Sequence, residues 1–111
     1  MYRSTTPTAI LEVSFDDETV DVTEVMRKIQ ICHVTFKSED GLHKMLYTNP
    51  DIDPENHQIR ITMTQSETKM FNVGRVKVQA KIKLENGTVV ASDIVVDNMK
   101  EILEEEELWF V

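Results

Sequence analysis

The chain has 111 residues, a hydrophobic fraction of 41%, a charged fraction of 29% and a net charge of -8. This length and composition predict one globular domain with one core, and they argue against wholesale disorder. The acidic balance argues against nonspecific binding of nucleic acid and against docking on an anionic membrane, and no apolar run approaches the ~20 residues of a membrane span.

The first half of the chain predicts short strands separated by turns. In residues 9–15 the apolar side chains at 9, 11, 13 and 15 alternate with Ile10, Glu12 and Ser14, which favours a strand that is buried on one face. Residues 28–38 are rich in β-branched side chains. Their alternation changes phase midway, which a bulge or burial on both faces would explain. A turn over Ser38 to Gly41 leads into a strand over Leu42 to Tyr47, which we expect to pair back.

The middle of the chain predicts a loop, a strand and a helical turn. Residues 49–56 contain two prolines, which exclude a central strand. Alternation returns from Ile59 to Met63. Thr64 and Glu67 then fit a capping box, in which each side chain satisfies a free amide at a helix start. We therefore predict a single helical turn over residues 65–71.

The second half gives the clearest strand, Gly74 to Leu84, with apolar residues on one face and mostly cationic residues on the other. This pattern is typical of an antiparallel sheet with one solvated face. Asn86 and Gly87 predict a type I′ hairpin turn into a strand over Thr88 to Val96. Six or seven such strands predict an all-β, immunoglobulin-like antiparallel β-sandwich. The predicted core consists of Leu11, Val13, Phe15, Ile29, Ile31, Val34, Phe36, Ile59, Ile61, Met63, Phe71, Val76, Val78, Ile82 and Ile94.

The chain changes character at residue 98. Residues 98–111 hold one basic and five acidic residues, so we divide the sequence into a β-sandwich domain, residues 1–97, and an acidic tail. Asn98 and Glu101 fit a capping box and predict a short helix, but the acidic run that follows opposes the helix dipole. A weak amphipathic helix suits ordering on a partner, whereas a frayed terminus is the alternative. The predicted interaction residues of the tail are Met99, Ile102, Leu103, Trp109 and Phe110.

No catalytic constellation is recognisable in the sequence. Cys32 and His33 are neighbours in a predicted strand and therefore point to opposite faces, and Cys32, the single cysteine, is expected in the core. A lone cysteine also favours a reducing compartment. His33 and His43 could approach across paired strands, but two histidines without a third ligand make a poor zinc site. We therefore expect no enzymatic activity, no cofactor and no metal site.

Two patterns of charge remain. Asp51, Asp53 and Glu55 alternate like a fragment of a calcium loop, but the glycine and the distal glutamate of such a loop are missing, so a solvated loop is expected. The second pattern is a basic strip on one strand, for which a solvated face that resists aggregation is favoured over an anionic-ligand site. The strip consists of Arg75, Lys77, Lys81 and Lys83.

Several blocks of the sequence resemble one group of proteins. The opening, Arg3-Ser4-Thr5-Thr6-Pro7, resembles the start of small phage and prophage proteins related to the N-terminal domain of the upper baseplate protein of phages of Gram-positive bacteria. Serine stands at position 4, where that group usually has glycine. Residues 59–68, then Phe71, Gly74 and residues 76–79, and residues 86–94 are also similar, so the resemblance spans most of residues 2–103.

The resemblance implies an immunoglobulin-like β-sandwich that serves as a structural or interaction module of a tail or baseplate, without catalytic residues. The expected partners are proteins or further copies of the chain, and neither nucleic acid nor membrane. The expected location is the virion or the bacterial host cytoplasm, because the first residues have no apolar stretch of a signal peptide. Two alternatives stay open: an intracellular, prophage-encoded binding or regulatory module, and a carbohydrate-binding β-sandwich.

Overall fold

A computed structural model of the chain describes residues 1–108. Strands make up most of its regular structure, with two short helices between them. In chain order the elements are β1 (Thr8–Glu12), α1 (Val22–Arg27), β2 (Ile29–Ser38), β3 (Lys44–Thr48), β4 (Asp51–Asp53), β5 (Gln58–Thr62), α2 (Gln65–Lys69), β6 (Gly74–Leu84), β7 (Val89–Ala91) and β8 (Val95–Met99).

The strands form two antiparallel sheets, which confirms the prediction of a mostly β chain with antiparallel pairing. The smaller sheet has the order β1-β5-β4, and the larger sheet has the order β3-β2-β6-β7. β6 is eleven residues long, so two strands share its far side. β7 pairs with Lys81 to Lys83, and β8 pairs with Gly74 to Val78.

One buried cluster joins the two sheets. Ile59 and Ile61 of β5 belong to the same cluster as Phe36 of β2 and Val78 of β6. Alternation along each strand sends these side chains to a common interior, and burying a side chain of this size stabilises a fold by roughly 1.5–3 kcal/mol. The residues of the predicted core that are buried are Val34, Phe36, Ile59, Ile61, Met63, Phe71, Val76, Val78 and Ile82. Leu11, Val13, Phe15 and Ile29 are partly buried.

Two residues of the predicted core lie outside it. Ile31 is 38% exposed, because the register of β2 against β6 shifts between Ile29 and Ile31 and turns Ile31 to the outer face. The shift is the bulge that the phase change in the sequence indicated. Ile94 is 57% exposed, because it belongs to the short connection between β7 and β8 rather than to a strand.

The hairpin after β6 is confirmed, but its turn differs from the prediction. Leu84 donates its amide to the carbonyl of Thr88, at 2.9 Å, so the loop has three residues rather than two. Gly87 has a φ of 88°, whereas Asn86 does not have a positive φ. A three-residue hairpin loop places its single left-handed residue at the end, and glycine adopts that conformation without strain.

The two helices had unequal signals in the sequence. The predicted turn after β5 is α2, and its capping box is present: Glu67 donates its amide to the Thr64 hydroxyl, and Thr64 donates its amide to the Glu67 carboxylate. Helix α1 was not predicted. Its signal was Asp21 followed three residues later by Glu24, and Asp21 does accept the amide of Glu24.

The predicted C-terminal helix is wrong over the residues that the structure describes. The segment 95–99 is strand β8, and residues 100–108 form no helix. Asn98 is not a helix cap, because β6 offers it a partner, Arg75, in the sheet. Pairing with β6 stabilises this segment more than the hydrogen bonds of a short, acidic helix would, because isolated short helices are marginal in water. No helix in residues 1–108 is long and apolar enough to cross a membrane.

Candidate functional site

Residues 105–108 of the acidic tail, which the sequence made the candidate interaction element, dock on their own chain. Leu108 and Gln65 exchange two hydrogen bonds, each of 2.6 Å. Glu107 accepts a hydrogen bond from Ser66. Glu107 and Leu108 therefore lie beside the start of α2, and this part of the tail already has an intramolecular partner.

Arg3 holds the tail, the first residues and α2 together. Its guanidinium donates to the backbone oxygens of Phe71, at 2.8 Å, and Lys69, at 3.1 Å, which lie at the end of α2. It also binds the Glu105 carboxylate at 2.7 Å. Next to it, the Ser4 hydroxyl donates to the backbone oxygen of Glu105 at 3.1 Å. One cation thus satisfies free carbonyl groups at a helix end and pairs with the acidic tail.

The predicted interaction residues of the tail differ in their exposure to solvent. Met99 is 1% exposed and belongs to the core of its own chain, so it is not available to a partner. Ile102 is partly buried, and Leu103 is 98% exposed. Trp109 and Phe110 lie outside the described residues, so their predicted role stays a prediction.

The cysteine and the histidines are separated from one another. Cys32 is fully buried, and its burial raises the pKa of the thiol from 9.0 to about 11. His33 lies opposite Thr48, so β2–β3 pairing does not bring it to His43, which packs edge-on against Phe71. Among residues 1–108, no three histidine, cysteine or carboxylate side chains are grouped to hold a metal ion.

The third histidine and the alternating carboxylates have partners within the chain. The His57 ring nitrogen Nε2 lies 2.9 Å from the Thr23 hydroxyl. Arg60 on β5 lies 2.5 Å from Asp53 and 3.8 Å from Asp51. Hydrogen bonds from Asn56 and then the charge of Arg60 lower the pKa of the Asp53 carboxyl. These carboxylates therefore fasten β4 to β5 instead of forming a calcium loop.

The outer face of the larger sheet is the strongest candidate for a functional surface. The strand registers place six cations on this face, half of the twelve Lys and Arg residues of the chain. We call this surface the basic face; it consists of Lys37, Lys44, Arg75, Lys77, Lys81 and Lys83. Along the described strands, no position of this face holds Asp or Glu, although the chain is acidic overall.

Three lysines of the basic face lie in one row across three strands. Lys37 on β2 is directly opposite Lys44 on β3 and directly opposite Lys77 on β6. Side chains at opposite positions start ~5 Å apart, and like charges there are destabilising. Within residues 1–108 none of these lysines has an ion-pair partner, whereas Arg75 lies 3.9 Å from Glu39. An anionic partner would relieve the repulsion in the row.

Within residues 1–108, an edge of the larger sheet without a paired strand adjoins the basic face. We call residues 89–96 the valine edge. Val89 lies opposite Lys83 and Val96 opposite Lys77 on the outer face, and both are about half exposed. Val90 and Val95 point to the core side, opposite Ile82 and Val78, yet they remain 36% and 54% exposed. The smaller sheet does not cover this side of the edge.

The sequence signalled one part of this surface and missed the rest. The strip on β6 was visible as alternation, but Lys37 and Lys44 join it through long-range pairing of β2 with β6 and β3. The valine edge was interpreted as an ordinary strand, because composition does not show whether a neighbouring sheet covers it.

Comparison with known proteins does not suggest a function for this surface. No protein-family model, no curated protein and no solved structure gives a significant match to this chain.

Proposed function

We propose that this chain is a non-enzymatic interaction module with an immunoglobulin-like β-sandwich, and that it works by protein–protein contact in the assembly of a phage or prophage tail or baseplate. The observation that carries the interaction role is the basic face. Six cations gather on one sheet face of a chain with a net charge of -8, and the described strand positions of that face hold no carboxylate.

The strand orders support the immunoglobulin-like part of the proposal. In that fold, strands B, E and D are neighbours in one sheet, and strands C′, C, F and G are neighbours in the other. If β1 corresponds to strand B, the following strands correspond to C, C′, D, E and F. Both observed orders then agree with the fold, and β7 and β8 share the place of strand G.

The conformation of Ser4 supports the likeness to baseplate proteins. Ser4 has a φ of 56°, which is unusual for a residue other than glycine, asparagine or aspartate. The proteins that the opening resembles usually have glycine at this position, and glycine adopts a positive φ without strain. A shared backbone bend at the start of the chain would account for both observations.

The chemistry of the basic face favours a protein partner over nucleic acid. Surfaces that bind single-stranded nucleic acid combine cations with aromatic side chains on which bases stack. The basic face instead carries aliphatic side chains among its lysines: Leu46 and Val96 are 51% exposed, and Ile31 is 38% exposed. A mixture of aliphatic side chains and cations fits a protein surface with carboxylates around an apolar centre.

The test is incorporation into particles. The gene, with a tag, is expressed in the strain that carries it; particles and tail intermediates are purified, and the chain is detected by mass spectrometry. We expect the wild-type chain in these fractions. The double variant Lys37→Glu and Lys77→Glu is expected to be depleted at least fivefold, because charge reversal turns attraction into repulsion.

A matched control distinguishes the basic face from net charge. Lys28→Glu together with Lys69→Glu makes the same change of charge at exposed positions away from this face, so incorporation should stay near that of the wild type. Absence of the wild-type chain from every particle and intermediate would contradict the assembly role. Equal depletion of the two double variants would contradict the role of the basic face.

A further inference from the structure

We infer that the valine edge accepts an extended segment of another protein as an added strand, and that this segment alternates carboxylate and aliphatic side chains. The inference rests on the proposed interaction function and names the partner chemistry for the edge that adjoins the basic face. Strand addition is a known mode of recognition, in which backbone hydrogen bonds give affinity and alternate side chains give specificity.

The valine edge lacks most of the protection that the β4 edge of the smaller sheet has. Exposed edges are usually blunted by proline, by charged side chains or by bulges. Strand β4 is short, carries Asp51 and Asp53, and is flanked by two prolines. Residues 89–96 contain no proline and one charged residue, Asp93. A one-residue bulge between β7 and β8 is the remaining irregularity.

The backbone of the valine edge presents free hydrogen-bonding groups. Ser92 donates its amide to Ala80 of β6, at 2.8 Å, so the amides of its neighbours point away from β6. Ala91 therefore directs its amide outward. Within residues 1–108, no backbone hydrogen bond joins the outer side of residues 89–96 to another element.

The edge is closed just beyond Val96 by the start of the chain. Arg3 donates its amide to Lys100, and Lys100 donates its amide to Met1, at 3.2 Å and 2.6 Å. This short ladder ends before the valine edge begins. Residues 1–3 thus already lie beside the end of β8. An added strand would lie in line with them, along the valine edge.

The two sides of the valine edge set the chemistry of the added strand. On the core side, Val90 and Val95 leave apolar surface exposed, which aliphatic side chains would cover. On the outer side, Lys77, Lys81 and Lys83 lie one strand inward, ~10 Å from an added strand, within reach of their long side chains. Carboxylates on that side would meet uncompensated cations. Alternation follows because successive residues of a strand face opposite sides.

The experiment is a titration of the intact chain with synthetic peptides, followed through its backbone amide NMR signals. The probe is a nine-residue peptide in which glutamate and valine alternate. One control peptide has the same composition with its glutamates and valines in two blocks, and another replaces glutamate by lysine. We expect the alternating acidic peptide to bind at least tenfold more tightly than either control, and to slow hydrogen exchange at Val89, Ala91 and Val96.

Three variants test the geometry. Ala91→Pro removes an outward amide without changing charge, and prolines are tolerated at sheet edges; it should abolish binding. Lys81→Glu, one strand inward from Ala91, should weaken binding about fivefold by replacing attraction with repulsion. Lys69→Glu makes the same charge change at an exposed position of α2, away from the basic face, and should change binding less than twofold.

Several outcomes would overturn the inference. They are equal binding of the block peptide, protection of amides elsewhere, and a larger effect of Lys69→Glu than of Lys81→Glu. Protection of the same amides at high protein concentration without peptide would identify a second copy as the occupant and would also overturn it. If the chain enters particles and Ala91→Pro does not reduce incorporation, strand addition fails while the assembly function stands. If the peptide binds and the chain never enters particles, the assembly function fails.

Discussion

Val78 and Val95 lie opposite one another in the same sheet and point to the same side, but they have different surroundings. Val78 on β6 is 4% exposed, whereas Val95 on β8 is 54% exposed. The buried cluster that joins the two sheets includes Val78 but does not extend to Val90 and Val95 of the valine edge. Identical side chains thus serve the core in one strand and form an uncovered surface one strand further.

The largest expected effect is the contrast between Val78→Asp and Val95→Asp. Aspartate at position 78 would bury an unpaired charge, so we expect a loss of about 3–5 kcal/mol in the free energy of unfolding, or no folding at all. At position 95 water reaches the carboxylate, and the loss should stay below about 1 kcal/mol. Urea unfolding of both variants measures the contrast. Similar losses would show that the core side of the valine edge is covered.

A second contrast concerns two hydroxyl groups. That of Thr68 is buried where α2 meets the first residues of the chain, and that of Ser92 is exposed on the valine edge. Thr68 is fully buried; its hydroxyl donates to the Thr5 carbonyl at 2.9 Å and accepts the Thr5 amide at 3.0 Å. Thr68→Val leaves both groups unsatisfied and should cost about 1–3 kcal/mol. At the edge, the exposed Ser92 accepts the Ala80 amide at 2.9 Å.

Ser92→Ala is the matched change for this second contrast. We expect a loss below about 1 kcal/mol, because water can replace the serine hydroxyl at an exposed edge. Thermal unfolding in one buffer gives both values. A greater loss for Ser92→Ala than for Thr68→Val would mean that the edge contributes more to stability than the seam between the first residues and α2.

The tail contact predicts a smaller effect. Arg3 and Glu105 are partly buried, so a double-mutant cycle with Arg3→Gln and Glu105→Gln should give a coupling of about 0.5–1 kcal/mol that weakens with salt. The exposed pair of Arg27 and Glu55 serves as the control and should couple by about 0–0.5 kcal/mol. A coupling near zero for Arg3 and Glu105 would show that this ion pair does not hold the tail on the domain.

The smallest effect belongs to the lysine row. Lys37→Gln removes the central charge of three, so stability should rise by a few tenths of a kcal/mol at low salt and the gain should vanish at high salt. Lys28→Gln is the control, because Lys28 lies 3.7 Å from Glu24 and loses an attraction instead. A drop in stability for Lys37→Gln would show that the row is already compensated within the chain.

Local patterns predicted those elements whose signals lie within a few residues. The capping box of Thr64 and Glu67 was visible because its two partners are three residues apart, and the hairpin at Gly87 because a glycine marks the left-handed position. The same reasoning failed at Asn98, where a capping pattern was present but no helix forms. Asn98 instead pairs with β6, which lies more than twenty residues away along the chain.

The candidate site was less predictable than the fold. The sequence showed the basic strip on β6, because alternation separates its cations from its apolar residues. It could not show that Lys37 and Lys44 extend the strip into a face, since that depends on registers between distant strands. It also assigned interaction to Met99, which the tertiary structure places in the core.

The sequence by itself determined that this protein is mostly β, that β6 has one apolar and one basic face, and that Cys32 is buried. These properties follow from side-chain order along single strands, which alternation fixes locally. The tertiary structure decided which apolar strands are covered, where the acidic tail lies, and that the cations of three strands form one face. Those outcomes depend on the pairing of distant segments and on how far one sheet extends over the other, and no local pattern encodes either.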